Sequence, residues 1–147
     1  MPTLEDAIAL AVKTHRGQRD KYGRPYILHP LRIMFRLTTD LEQMVGVLHD
    51  VVEDSDLTLN DLRQKGYSED VLAALDGVTR REGETYDEFV ARSQAQPVAR
   101  HVKLADLEDN MDLRRLPAEF TDQDVARLRR YRRAWEQLTT ADHHQRT

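Results

Sequence analysis

Apolar residues recur at intervals of three and four positions along most of the chain, which is the spacing of one face of an α-helix. The clearest case lies near the start, where a first helix is predicted over residues 3–16. Its apolar stripe is expected to consist of Ile8, Ala11, Val12 and His15. We expect His15, on this face, to be a hydrogen-bonded core residue. No segment alternates long enough to predict a β-strand.

Capping and stop signals divide the rest of the chain into further helices. Side-chain oxygens can accept a backbone N–H at a helix start, and the predicted caps are Thr3, Asp40, Thr58, Ser68, Thr85 and Thr121. Pro30 and Pro97 suit a first helical turn, whereas Gly66 and Pro117 end helices. These signals predict an all-α fold, a single bundle of about seven or eight helices.

The composition agrees with a single globular domain. Of the 147 residues, 33% are charged and 39% are hydrophobic. We expect one domain over residues 1–140 and a disordered tail over residues 141–147. No apolar run approaches the ~20 residues of a membrane span, so no membrane association is expected. The absence of cysteine and of a basic signal-like start favours a cytoplasmic location.

Three groups of polar residues stand where the helical pattern calls for apolar ones. They are His29, the pair His49 and Asp50, and Asp106. An unpaired carboxylate at such a position would be costly. Imidazole and carboxylate groups together suit Mn, Fe, Zn or Co better than Ca. The sequence therefore predicts a metal held by these four side chains, with positions open for water and a substrate oxygen.

The second group continues into an acidic segment. If the chain stays helical through residues 49–54, His49 lies above Glu53 and Asp50 above Asp54. Each pair is separated by one turn of about 5.4 Å, which leaves room for a water between metal and carboxylate. Anions at a helix C-terminus oppose the helix dipole, so a nearby divalent cation would explain why they are there.

These residues lie within longer motifs. The motifs are HRGQRDKYGRPYILHP from His15, VLHDVVEDSDLTLNDL from Val47, GVT from Gly77 and VKLADLEDNM from Val102. In this order they resemble the hydrolase domain of RelA/SpoT-type alarmone enzymes and of their small stand-alone homologues, including the metazoan SpoT-like hydrolases. The resemblance covers most of the chain, from about Leu4 to Leu116.

The resemblance implies an HD-domain fold, a metal and a reaction. Members of this family bind one Mn²⁺ and remove pyrophosphate from the 3′ position of ppGpp or pppGpp. The positions that match their metal ligands are His29, His49, Asp50 and Asp106. The matching catalytic pair, which orients or deprotonates the attacking water, is Glu53 and Asp54. The positions that match residues near the nucleotide are Lys21, Thr79, Tyr86 and Asn110. The resemblance includes no synthetase segment, so alarmone synthesis is not expected.

Two positions depart from the family pattern. Asp20 stands where a base-stacking arginine is usual, and Asp112 stands where a second arginine is frequent. A guanidinium stacks on a purine, and a carboxylate does not. If stacking is what the chain lacks, Asp20→Arg should improve hydrolysis of ppGpp. The arginines that could compensate are Arg16, Arg19, Arg24, Arg114 and Arg115.

Three alternatives stay open beside this hypothesis. A relaxed base site could admit another nucleotide phosphate ester, such as the 2′-phosphate of NADPH. A non-catalytic HD-fold nucleotide-binding module would be expected to have lost Glu53 or Asp54, and both are present. Nucleic-acid binding is not expected, because the basic run of the last helix is predicted to be a solvated face; its members are Arg127, Arg129, Arg130, Arg132 and Arg133. A homo-oligomer is compatible with all of these.

Overall fold

The computed structural model describes the backbone of residues 1–146 and the side chains of residues 1–140. The helices are α1 (Leu4–His15), α2 (Leu28–Phe35), α3 (Asp40–Leu48), α4 (Leu59–Gln64), α5 (Glu69–Val78), α6 (Tyr86–Ala95), α7 (Pro97–Asn110) and α8 (Asp122–Arg146). A 3₁₀ turn, Leu113–Arg115, follows α7. The predicted all-α bundle is thus confirmed. The tail expected at residues 141–147 lies outside the residues described in full.

Capping side chains start the helices largely where the sequence predicts. Thr3 Oγ1 accepts the N–H of Asp6 at 3.1 Å, and the Asp6 carboxylate accepts the N–H of Thr3 at 2.8 Å. This reciprocal pair satisfies two backbone donors that the first turn leaves free. The start of α3 differs by one residue, because Thr39 rather than Asp40 is its cap. Helix α2 starts two residues before Pro30, whose missing N–H would have no partner in a first turn.

The core lies between α1, α2, α3, α4, α5 and α7. Its largest fully buried side chains include Ile33, Leu48, Leu62 and Leu75. A smaller cluster of Val90, Leu107, Ala134 and Leu138 joins α6 and α7 to α8. Two residues that the sequence predicts to be buried, Val12 and Val125, are instead 37% exposed each. Among the helices described, none is both long and apolar enough to span a bilayer.

Helices α5 and α7 approach closely at one glycine. A Cβ built on Gly77 would lie only 2.6 Å from the Cβ of Ala99, so this crossing has no space for a larger residue. The contact holds α7, which carries Asp106, firmly against the core.

Candidate metal centre

Side chains from three separate segments converge at one point, as the sequence predicts. Ligand atoms of His29, His49 and Asp50 all lie within 4.8 Å of one another. Asp106 Oδ1 lies 3.0 Å from His29 Nε2 and 3.6 Å from His49 Nε2. Asp50 Oδ2 lies 2.9 Å from His49 Nε2. Helices α2 and α7 and the end of α3 therefore bring all four predicted ligands together.

The local structure at His49 and Asp50 differs from the predicted one. Helix α3 ends at Leu48, and residues 49–54 form consecutive turns. The N–H of Val51 bonds to the carbonyl of Leu48 at 2.9 Å, which is a tight i+3 turn. Only Asp54 N–H to Asp50 O keeps the helical i+4 pattern here, at 2.9 Å. Helical stacking thus applies in part to the Asp50 and Asp54 pair, and His49 is not stacked on a helix face.

The donor set fits a divalent transition metal. His49 Nδ1 lies 2.8 Å from the carbonyl of Gly46, to which it donates its proton. The lone pair of the neutral ring then sits on Nε2, which is buried and has no aligned hydrogen-bond partner among the described residues. A buried polar atom without a partner is costly. A cation between this nitrogen and the carboxylates of Asp50 and Asp106 would satisfy it.

The charges at the centre are strongly coupled. Burial acts to raise the pKa of Asp50, but the His49 imidazole outweighs it and lowers that pKa to about 2. Burial acts to lower the pKa of His49, but Asp50 and Asp106 raise it well above the usual value. The pKa of His29 is also raised, because the hydrogen bonds that its ring donates to Asp106 and Asp109 outweigh burial. The carboxylates that raise the pKa of the two imidazoles would also attract a metal cation to this position.

Neighbouring groups fix the two carboxylate ligands. Lys103 Nζ binds Asp106 Oδ2 at 2.9 Å, and Asn110 Nδ2 donates to Asp106 Oδ1 at 3.1 Å. The hydroxyl of Tyr26 donates a short hydrogen bond to Asp50 Oδ2. Lys103 is buried, and its charge offsets that of Asp106 and lowers the pKa of that carboxyl against the effect of burial. Lys103 and Tyr26 were not among the predicted site residues.

Asp109 is a further residue that sequence reasoning missed. It is completely buried, and its Oδ2 lies 2.6 Å from His29 Nδ1. Arg32 and Arg115 also bind its carboxylate, at 2.8 Å and 2.9 Å. A carboxylate on the far nitrogen of a metal-binding histidine fixes the ring and its tautomer. The signal for it was the i+3 spacing from Asp106 on one helix.

The two predicted catalytic carboxylates lie in different surroundings. Glu53 lines the cavity beside the centre, and its Oε1 accepts the backbone N–H of Arg80 at 2.7 Å. Asp54 is not part of that lining, and its Oδ2 lies 3.8 Å from Nδ1 of the buried His15. Partial burial and the charge of Asp50 raise the pKa of both carboxyls. His15 is buried as expected, with Gln18 as its partner at 2.9 Å.

The centre opens into a cavity of about 560 Å³. Three of the four predicted nucleotide-site residues line it, namely Lys21, Tyr86 and Asn110. The hydroxyl of Tyr86 is buried and, within the described part of the chain, has no hydrogen-bond partner. Thr79 is not in the lining, and its hydroxyl donates to the carbonyl of Leu75 at 2.7 Å.

Cationic and aromatic side chains dominate the far wall of this cavity. Arg130, which was expected on the solvated face of α8, lines it instead and lies 5.1 Å from the ring of Tyr86. Tyr131 lies beside it on the same helix. Of the arginines expected to compensate for the two departures, Arg19 and Arg115 line the cavity.

Asp20 and Asp112, which stand where the family usually has arginine, both bind other groups of the chain. Asp20 lines the cavity, and its Oδ1 accepts two backbone N–H groups of its own loop. Asp112 is outside the cavity, caps the turn after α7 and pairs with the exposed Arg114 at 2.7 Å. Asp112 therefore does not reduce the positive charge of the cavity wall by direct contact.

Comparisons with known proteins support the family that the sequence motifs resemble. No protein-family model matches the chain. It is 36% identical over 125 residues to a GTP pyrophosphokinase of Streptomyces coelicolor, covering 74% of this chain and 14% of that protein. It is 29% identical over 120 residues to a guanosine-3′,5′-bis(diphosphate) 3′-pyrophosphohydrolase of Aquifex aeolicus, covering 74% and 17%. The chain thus spans less than a fifth of the length of these relatives.

A solved structure shares the whole bundle. It belongs to a metazoan orthologue of SpoT that is described as hydrolysing ppGpp, and the TM-score is 0.72 at 24% identity. The match covers 94% of this chain and 86% of that one. The fold and the His/Asp centre define the class, which is that of the HD-type helical domains. Within this class the chain belongs to the RelA/SpoT family, as a domain of its hydrolase type.

Proposed function

We propose that the chain is a Mn²⁺-dependent pyrophosphohydrolase that converts ppGpp or pppGpp to GDP or GTP and pyrophosphate. The observation that carries this proposal is the convergence of His29, His49, Asp50 and Asp106 beside a cavity that also holds Glu53. Two imidazoles and two carboxylates suit Mn, Fe, Zn or Co, and among these Mn²⁺ is the ion that the family resemblance implies. Relatives from Aquifex aeolicus and Vibrio cholerae are named for the same reaction.

The metal, when bound, would lower the pKa of water and offset charge on the phosphoryl oxygens. Glu53 is the residue best placed to orient the attacking water and accept its proton. The N–H of Arg80 occupies its Oε1, so Oε2 is the oxygen left to act. Its raised pKa makes it a stronger base than an ordinary glutamate. Water would attack the phosphorus that carries the 3′ oxygen and give one proton to Glu53. That P–O bond would break, the hydroxyl of the water would stay on the released pyrophosphate, and the 3′ oxygen would take up the proton from Glu53 or from solvent.

The remaining cavity residues would bind the substrate. Lys21 and Arg130 supply positive charge for the phosphates. The unpartnered hydroxyl of Tyr86 can donate to a substrate oxygen, and Asn110 extends from α7 beside the metal position. We propose that Asp54 assists Glu53 from outside the cavity lining. Its N–H donates to the carbonyl of Asp50, so the turn holds Asp54 next to that predicted metal ligand. Thr79 stays a weaker candidate, because its hydroxyl is bound to its own helix.

A second substrate class has one observation in its favour. Asp20, which occupies the place of a base-stacking arginine in the family, is committed to its own loop and to Arg115. No arginine at this position can therefore stack on a guanine base. A nucleotide with another phosphate ester, such as the 2′-phosphate of NADPH, is the alternative substrate. A non-catalytic module is the weaker hypothesis, because both Glu53 and Asp54 are present. A cytoplasmic location completes the proposal, in keeping with the absence of cysteine.

The test is a turnover screen with Mn²⁺ over ppGpp, pppGpp, NADPH and ordinary nucleoside phosphates, with EDTA as control. Asp106→Ala is expected to abolish metal binding and hydrolysis. Glu53→Gln should keep the metal and slow turnover by ~100-fold or more, which is typical for loss of a general base. Glu108→Gln, a change on the exposed side of α7, is the matched control and should behave as wild type. Full activity of Glu53→Gln would refute the catalytic assignment.

A further inference from the structure

The loop between α1 and α2 is organised by one carboxylate. Asp20 Oδ1 accepts the N–H of Tyr22 and the N–H of Arg24, both at 2.9 Å. The N–H of Asp20 in turn donates to the carbonyl of Arg24 at 2.8 Å. Gly23, at φ +81°, provides the left-handed turn that these bonds require. The loop is thus a closed unit that carries two cations of the cavity wall.

The second oxygen of Asp20 points away from its own loop. Asp20 Oδ2 lies 3.5 Å from Arg115 Nη2, and the two side chains are only 9% and 16% exposed. Burial acts to raise the pKa of Asp20, but the N–H groups of Arg24 and Tyr22 and the Arg115 guanidinium together lower it. The carboxylate is therefore charged and sheltered, which makes the ion pair stronger than an exposed one.

Arg115 also binds the group that supports a metal ligand. Its Nη1 donates to Asp109 Oδ2 and to the carbonyl of Asp109, both at 2.9 Å. The same Oδ2 lies 2.6 Å from His29 Nδ1. One guanidinium therefore joins the α1–α2 loop to the carboxylate behind His29. A planar fork with five donors in fixed directions holds the two carboxylates and the carbonyl in one geometry, whereas an ammonium group has only three rotatable donors and fixes that geometry less well.

On the basis of the proposed function, we propose that Asp20 is a positioning residue, which seats the substrate-binding loop on Arg115 and so fixes Lys21 relative to the metal ligand His29. The loop would bind the phosphates and the centre would cleave them. Their relative position decides whether one substrate can contact the loop and the centre at the same time, so a displaced loop loses phosphate contacts that contribute to substrate binding. Asp20 itself need not contact the substrate.

The test is Asp20→Asn, because an amide can keep the hydrogen bonds within the loop while it loses the ion pair with Arg115. The amide would keep an oxygen for the N–H groups of Tyr22 and Arg24, but its NH₂ group would face Arg115. We expect amide hydrogen exchange over residues 18–26 of the metal-free protein to become about tenfold faster. Affinity for Mn²⁺, measured by calorimetry, should stay within about threefold, since the Asp109 and His29 contacts are unchanged. KM for ppGpp should rise about tenfold, with kcat changed much less.

Asp112→Asn is the matched control. Asp112 also accepts a backbone N–H with Oδ1, from Arg114 at 3.1 Å, and pairs with that arginine through Oδ2 at 2.7 Å. Arg114 is largely exposed, and the Asp112 carboxylate is bonded to Arg114 rather than to Arg115 or Asp109. Only backbone hydrogen bonds join Asp112 to Asp109 and Arg115, and the substitution leaves them in place. The change removes the same charge, so exchange over residues 18–26 and KM should stay at wild-type values if position rather than net charge matters.

A double variant tests whether Arg115 is the partner through which Asp20 acts. Arg115→Met, which removes the guanidinium charge, should loosen the loop, and Asp20→Asn added to it should have no further effect on exchange. Wild-type exchange in Asp20→Asn, equal acceleration in Asp112→Asn, or additive effects in the double variant would each overturn the proposal. Exchange and Mn²⁺ affinity need no turnover. A protein that fails to hydrolyse ppGpp would therefore refute the proposed function and leave these two measurements decisive for the loop.

Discussion

Removal of the buried charge behind His29 should weaken both the fold and the metal site. Asp109→Asn preserves the shape of the side chain and deletes its charge. Its carboxylate faces His29 at 2.6 Å and the guanidinium groups of Arg32 and Arg115 at 2.8 Å and 2.9 Å. In the variant these three groups would surround a neutral amide, of which only the oxygen can accept hydrogen bonds.

The expected loss of stability follows from burial and from the pKa. The pKa of Asp109 falls from 3.8 to about 2, because the hydrogen bond with His29 and the charges of Arg32 and Arg115 outweigh burial. Such a shift corresponds to roughly 2 kcal/mol. Breaking a buried ion pair costs about 3 to 5 kcal/mol, and the partial exposure of Arg32 favours the lower end. We therefore expect the free energy of unfolding to fall by about 3 kcal/mol.

The pH dependence has a definite sign. A carboxyl whose pKa is lowered on folding stabilises the protein above its unfolded pKa, and that contribution disappears as the pH falls through the folded value. The difference in stability between wild type and Asp109→Asn should therefore be constant near neutral pH and shrink between about pH 4 and about pH 2. Urea unfolding in EDTA measures it without a contribution from bound metal.

Metal affinity provides the second measurement of the same variant. Loss of a group that orients a metal-binding histidine typically weakens binding about 10- to 100-fold. Calorimetric titration with Mn²⁺ should show a change of this size. The neighbouring Glu108→Gln, whose partner Arg36 is 3.7 Å away at the surface, should change stability by less than about 1 kcal/mol. Equal behaviour of the two variants in both assays would refute the role assigned to Asp109.

Three further results are expected. Because both histidine ligands have raised pKa values without metal, Mn²⁺ competes with protons for them; its affinity should rise as the pH increases through and above the ordinary histidine range, and pH-independent binding would contradict this. Gly77→Ala should lower the free energy of unfolding by about 1 to 3 kcal/mol because of the contact with Ala99, and a stable variant in urea unfolding would show that α5 and α7 can separate. Asp20→Arg, which the sequence predicts to improve ppGpp hydrolysis, should instead raise KM, because it puts a second guanidinium beside Arg115; a lower KM would restore the stacking hypothesis.

Much of the fold could be predicted because helix starts depend on local chemistry. Thr3, Thr58, Ser68 and Thr85 cap their helices as the sequence indicates, and the caps at Thr3 and Thr58 are reciprocal. The four metal-site positions also come together as expected. Their roles remain predictions until metal is measured. The turns after Leu48 were not predictable from periodicity, since a few i+3 bonds leave no repeat in the sequence.

The supporting groups of the site could not be predicted because their contacts join distant parts of the chain. Asp109 and His29 are separated by 80 positions, and no local pattern indicates their contact. Arg130 belongs to a run of arginines that looks like a solvated face, and only the packing of α8 on α6 turns it towards the cavity. Lys103 lies one helical turn before Asp106, but spacing alone does not show that its side chain is buried.

Helix α7 carries Lys103, Asp106 and Asn110 on successive turns of one face, and Asp109 beside them. Each residue of an α-helix advances by about 100° around the axis. A single inserted or deleted residue between Val102 and Asn110 would rotate one part of this set towards the core and would separate the metal ligand from its counter-charge. Related sequences should therefore vary in length in their loops and keep the residue count of this helix constant.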